Sequence, residues 1–223
     1  MNKPGPHSST KTDSLGPLVG IYGGTFDPIH FGHINTVASV ASQTGLKSVF
    51  FIPSAIPPHR PQPQANAQHR LEMTCIAIDG HPQFNIDDRE LRRQNPSYMV
   101  DTVFSLKSEN PENRYCLILG MDALLGLEQW HRWQSLLDQL HFIVMQRPGW
   151  SEPSTLPEWW RNRQAETFRQ LQLSKAGRIY PIKIDPIDIS ATDIRNRLKK
   201  GKDVSQLIPD GVHRYICENQ LYE

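Results

Sequence analysis

Two histidines set three residues apart, His30 and His33, stand just behind a glycine pair, Gly23 and Gly24, in the stretch GIYGGTFDPIHFGH at residues 20–33. A strand that ends at paired glycines lets an anion approach bare backbone N–H groups, and a helix start adds a favourable dipole. Imidazoles at i and i+3 share one face of such a helix start, where both can donate to the same phosphate. Thr25 and Phe26 complete the turn between glycines and histidines. The spacing of Gly20, Gly23 and Gly24 is not that of GxGxxG, and the chain contains no GxxxxGK[ST]. A turn with one structural histidine is the bland alternative.

Other segments carry complementary chemistry. ISATDIR at residues 189–195 places Ser190 and Thr192 at a helix start and Arg195 one turn in, so hydroxyls and a guanidinium can close on a second set of phosphate oxygens. The same spacing also describes an ordinary N-capped helix. Gly120 and Asp122 follow an apolar run, which puts a carboxylate at the end of a strand where a ribose hydroxyl or adenine amine could donate to it, or where it could cap the next helix. Trp130, followed by His131, Arg132 and Trp133, offers a flat aromatic face suited to a pyridine ring, or simply a core residue. His59, Arg60 and Arg147 add positive charge on irregular segments, either solvated or within reach of a mononucleotide phosphate.

These residues need a frame. Apolar β-branched runs predict strands at residues 18–22, 47–52, 114–120, 141–145 and 178–184. Helical patterns fall at about 32–44, 70–79, 99–107, 158–172, 191–200 and 211–221. Alternation of strand and helix predicts an α/β fold, Rossmann-like and doubly wound, with a mostly parallel sheet and a small C-terminal helical extension. The expected organisation is a disordered polar tail at 1–17, a nucleotide-binding α/β domain at 18–188 and a helical part at 189–223 that carries ISATDIR. Irregular stretches at 53–68 and 148–157, rich in proline and polar residues, are candidate binding loops.

Composition narrows the class. In 223 residues, 24 Lys and Arg oppose 23 Asp and Glu for a net charge of +1, which disfavours a polymeric polyanion as partner and leaves a small ligand. No apolar run approaches a membrane span, and the N-terminus lacks the apolar core of a secretory signal. The three cysteines form no CxxC, consistent with reduced thiols in the cytoplasm. No HExxH or similar metal-ligand motif occurs.

GGTFDPIHFGH resembles the signature of the HIGH-type nucleotidylyltransferase superfamily, whose [HT]xGH element here reads His30-Phe31-Gly32-His33. Within that superfamily the chain is similar to the bacterial nicotinate mononucleotide adenylyltransferases. Four further matches support the narrower family: PPHR at 57–60, SYMVDT at 97–102, GMDAL at 120–124 with WHRW at 130–133, and ISATDIR. The resemblance covers about residues 18–222.

The resemblance implies transfer of AMP from ATP to nicotinate mononucleotide, in NAD biosynthesis, with Mg2+ bound mainly through ATP phosphates and no protein metal site. It implies catalytic roles for His30, His33 and Arg195. ATP would meet Gly23, Gly24, Thr25, Phe26, His33, Gly120, Asp122, Ser190, Thr192 and Arg195. The ISATDIR stretch would hold the β- and γ-phosphates. Nicotinate would stack on Trp130, its carboxylate held by backbone N–H groups near Met99, Val100 and His131, with His59, Arg60 and Arg147 toward its phosphate. Met99 replaces the family's usual threonine, which removes a hydroxyl and leaves acid recognition to backbone donors, and Met121 stands where a smaller residue is commoner. Partners are then ATP and nicotinate mononucleotide, with neither nucleic acid nor membrane, and a homo-oligomer is left open. The alternatives are an adenylyltransferase acting on phosphopantetheine or nicotinamide mononucleotide, a class I aminoacyl-tRNA synthetase fragment, and a non-catalytic nucleotide sensor. The synthetase reading suffers from a short chain with no KMSKS-like segment.

Overall fold

The run Leu18–Gly24 forms strand β1, and its neighbours on either side are parallel strands reached by helical crossovers. The computed structural model describes residues 15–55, 62–93, 96–146, 156–185 and 187–223. Their strands are β1, β2 (Val49–Pro53), β3 (Phe84–Ile86), β4 (Arg114–Gly120), β5 (His141–Gln146) and β6 (Ile179–Lys183). All six pair in parallel in the order β3-β2-β1-β4-β5-β6, so the sheet is doubly wound and wholly parallel among the described residues. The order reverses between β1 and β4, which opens a crevice at their carboxyl ends.

Nine helices connect and extend the strands among the described residues: α1 (Phe31–Thr44), α2 (Ala67–Ile78), α3 (Met99–Glu109), α4 (Met121–Leu125), α5 (Trp133–Gln139), α6 (Glu158–Arg161), α7 (Phe168–Gln172), α8 (Ala191–Leu198) and α9 (Asp210–Glu218). Both sheet faces are covered, and β4 shows why its sequence reads as unbroken apolar. Cys116 and Ile118 join α1, α2, α8 and α9 in one buried cluster, while Tyr115, Leu117 and Leu119 join α3 and α5 in the other. The C-terminal part shares the first cluster through Ile194, Val204, Ile208, Val212 and Ile216, so it is packed onto the sheet domain as one core. Among the described residues no helix is long and apolar enough to cross a membrane.

Three sequence expectations need correction. The polar helix expected over 158–172 is two short helices, α6 and α7. Between them Ala165 N–H donates to the Ile179 carbonyl at 2.8 Å and Ile179 N–H to Arg163 at 2.9 Å, so the backbone there bonds to β6 rather than to itself. The strand β3 was not anticipated because only three residues pair, and α4 and α5 are too short to show a period. The start of the chain is also tied down before β1: Pro17 accepts from Arg114 N–H at 2.9 Å and Gly16 from Arg114 Nε at 2.8 Å. The remainder of the expected tail, residues 1–14, lies outside the described residues.

Candidate active site at the carboxyl ends of β1 and β4

The turn after β1 is built around close approaches. A Cβ on Gly24 would stand 2.5 Å from the Phe26 ring, so only glycine admits that ring, which is buried on a backbone with φ of 49°. A Cβ on Gly32 would stand 2.8 Å from His30 Nδ1, so this glycine makes room for the imidazole. His30 is the extended N-cap residue of α1 and is 5% exposed. The His30 and His33 rings stack at 3.7 Å between centroids with 25° between planes, and Phe26 meets His33 edge-on at 5.2 Å. Burial pushes the His30 imidazole down to about 4, so it is neutral near pH 7. Its Nδ1 is buried with no hydrogen-bond partner among the described residues.

Backbone donors at this helix terminus are partly engaged: Phe31 N–H donates to Leu207 at 2.9 Å and His33 N–H to His30 at 2.9 Å. The side chains therefore carry more of any anion recognition than a bare helix terminus would.

Arg195 arrives from α8. Its Nη1 donates to the Asp27 carbonyl at 2.6 Å and its Nη2 to Thr192 Oγ1 at 3.3 Å, while its buried Nε has no partner among the described residues. Ser190 caps α8, its Oγ accepting from Asp193 N–H at 3.3 Å, which is the ordinary cap reading; that bond leaves the hydroxyl hydrogen uncommitted. The structure thus brings Gly24, Phe26, His30, His33, Thr192 and Arg195 to one place.

The second group assembles alongside. Gly120 is the N-cap of α4, and a Cβ on it would stand 2.5 Å from Asp122 Oδ1, so the carboxylate folds back over the end of β4 instead of capping a helix. Met99 opens α3, and its Cε reaches to 3.0 Å from where a Cβ on Gly23 would be. Val100 is a core side chain, so its part in any contact with ligand belongs to its N–H at the start of α3. The Tyr98 and His131 rings lie 4.5 Å apart, which brings the SYMVDT segment beside half-buried Trp130. His59, Arg60 and Arg147 lie outside the described residues.

Three residues that sequence reasoning passed over hold this arrangement. Asp27 accepts from Gln64 N–H at 2.8 Å, from Ala65 N–H at 3.1 Å and from the Tyr222 hydroxyl at 2.7 Å. Arg70, 1% exposed, donates to the carbonyls of Thr25, Ser54, Ala55 and Ala65 and so fastens the turn after β1 to the segment after β2. The signal for Arg70 was present: it stands at i of the buried stripe Arg70, Met73, Thr74, Ala77, Ile78, where a charge is out of place without a structural task.

Comparison with known proteins places the chain. The cytidylyltransferase-like family profile matches residues 21–197. A protein of Yersinia enterocolitica named "probable nicotinate-nucleotide adenylyltransferase" is 45% identical over 209 residues, 92% of this chain and 95% of that protein. A Serratia proteamaculans protein of the same name is 42% identical over 217 residues, 96% of this chain and 99% of the other. Among solved structures, Plasmodium falciparum nicotinic acid mononucleotide adenylyltransferase complexed with NaAD superimposes with a TM-score of 0.69 at 20% identity, covering 92% of this chain and 97% of that one, a likeness of fold.

Proposed function

The chain belongs to the cytidylyltransferase-like family and, within it, to the nicotinate-nucleotide adenylyltransferases, and from that premise we propose how its site works. It is a nucleotidyltransferase that joins the AMP part of ATP to nicotinate mononucleotide and releases pyrophosphate. The observation that carries the assignment of roles is the convergence of Arg195, from near the C-terminus, with the stacked His30 and His33 on one turn after β1.

A phosphate oxygen of nicotinate mononucleotide forms a bond to the α-phosphorus of ATP as the bond to the bridging oxygen breaks, and pyrophosphate leaves with the electron pair. The nucleophile is already an anion, so no base is required, and catalysis consists of alignment and stabilisation of charge. Neutral His30 has one N–H to give, His33 stacks beside it, and Arg195 presents a fixed fork to the phosphate oxygens. Gly120 and Asp122 would receive the adenosine, and Trp130 with the start of α3 the nicotinate ring and its carboxylate.

Mg2+ would come with the triphosphate. The buried Asp27 carboxylate is already occupied by three donors, and no group of three His, Cys, Asp or Glu residues suited to a metal occurs among the described residues, so phosphate oxygens would supply most of its ligands. When bound, it would supply positive charge against the phosphates. A cytoplasmic setting for the reaction suits the three cysteines, all of which are free.

Pyrophosphate release from ATP with nicotinate mononucleotide, nicotinamide mononucleotide or phosphopantetheine, each with and without Mg2+, tests this function. Fastest turnover with the nicotinate nucleotide is expected. Preference for another acceptor, or no release with any, overturns it.

A further inference from the structure

Asp27 sits in the same turn as the two histidines, yet every oxygen it has is spent inside the protein. Its carboxylate, 6% exposed, takes two N–H groups from residues 64 and 65 and the hydroxyl of Tyr222, and its main-chain oxygen takes Arg195. Arg195 Nη1 also lies 3.8 Å from Asp27 Oδ2. The orientation of the arginine fork is therefore set by where Asp27 is held, and Asp27 is held in part from the far end of the chain.

We propose that Tyr222 is a positioning residue for adenylyl transfer, acting through the Tyr222–Asp27 hydrogen bond to fix the main-chain oxygen on which Arg195 is aligned. The inference rests on the reading of Arg195 as a phosphate-binding residue. The local backbone supports it. After α9 the chain reverses through Gln220 and Tyr222, both with left-handed φ, of 51° and 65°, where side chains other than glycine are rarely found. The reversal is stapled by Leu221 N–H to Ile216 at 3.0 Å and Gln220 N–H to Cys217 at 3.2 Å. Backbone held in such conformations persists where its surroundings over-determine it. Here the Tyr222 ring is buried in the core cluster that includes Ile29, Ile34 and Ile216, and its hydroxyl ends on Asp27. Burial, and next the Asp27 carboxylate, raise the pKa of the phenol, so it remains a donor at any working pH.

On the proposed reading ATP would be held by many groups, whereas the transition state would depend on the placement of a few donors. Loss of the hydroxyl should therefore reach turnover before it reaches binding. Tyr222→Phe keeps the ring and leaves Asp27 two N–H donors, so it should fold. Its kcat is expected to fall about tenfold with KM for ATP within about threefold and an unfolding temperature close to wild type. In an Arg195→Lys background, which has already lost the fork, the same change should cost less than about twofold. Asp27→Ala removes the acceptor at the other end of the bond, and adding Tyr222→Phe to it should lower kcat no further. A kcat for Tyr222→Phe within about twofold of wild type, or an undiminished loss in either background, overturns the proposal. Turnover of the wild-type enzyme with the nicotinate nucleotide decides the underlying reading separately.

Discussion

The imidazoles of His30 and His33 lie face to face, 3.7 Å between centroids, at the start of α1. Two cations at that separation would repel strongly, and burial keeps His30 neutral, with its pKa lowered to about 4. His30 therefore contributes a directed N–H, not a charge. His30→Gln, which keeps a neutral donor, should retain more turnover than His30→Ala. His33→Ala should lose about 10²–10³-fold in kcat while the fold persists, the usual effect of removing one donor to developing charge. Steady-state pyrophosphate release and circular dichroism check both. Near-normal turnover in His33→Ala would remove the mechanism.

Trp130 is half-buried against the second core cluster and neighbours His131, whose ring meets Tyr98. Trp130→Ala should weaken nicotinate mononucleotide binding about tenfold or more, the scale of one lost ring stack, and leave ATP binding within about twofold. Calorimetric titration of each ligand separates the outcomes. Equal loss of both affinities would mean that the tryptophan supports the fold alone.

Arg70 answers four carbonyl oxygens from one buried guanidinium. Arg70→Met fills much of the space but leaves those oxygens without a donor, and should cost about 3 kcal/mol or more. Arg70→Lys should recover only part, because an ammonium cannot span the fork. Denaturant unfolding measures both variants, and turnover should fall with them because Thr25 and Ser54 lose their common anchor. A change below about 1 kcal/mol in Arg70→Met would contradict this account.

Acid should destabilise the protein through histidine. His141 is fully buried, its Nε2–H placed to donate to Ser174 at 3.1 Å and its Nδ1 accepting from Arg178 N–H at 3.2 Å. Burial lowers its pKa to about 4 from a reference value of 6.5, as for His30. Between those values the unfolded chain binds more protons, so stability is full above about pH 6.5 and falls as pH drops toward 4, by up to about 3 kcal/mol for such a residue. His141→Gln should be less stable at pH 7 but show a shallower decline of unfolding temperature between pH 6.5 and 4.5. An unchanged slope would show that other groups govern acid unfolding.

The sequence disclosed what repeats a local pattern. The glycine turn, α1, the start of α3 and the cap of α8 were each readable from neighbouring residues, and the structure brings their side chains into one crevice. What it concealed lies in pairings between distant positions. Nothing local says that Arg70 ends on Thr25, or that Met99 reaches Gly23. Asp27 lies within the motif itself, but nothing local marks its carboxylate for the three internal donors it holds. The two short helices α6 and α7 look like one in the sequence because their polar residues mask a backbone that bonds to β6.

The oxygens of Asp27 draw donors from residues 37, 38, 168 and 195 positions away. Closing loops of that length is entropically costly before the contacts that reward it exist, so such a junction forms late. In a refolding chain, helices and the central strands should therefore regain their signal ahead of turnover. An enzyme assembled in this order is silent until nearly all of its sequence is in place, and its activity reports the completion of folding.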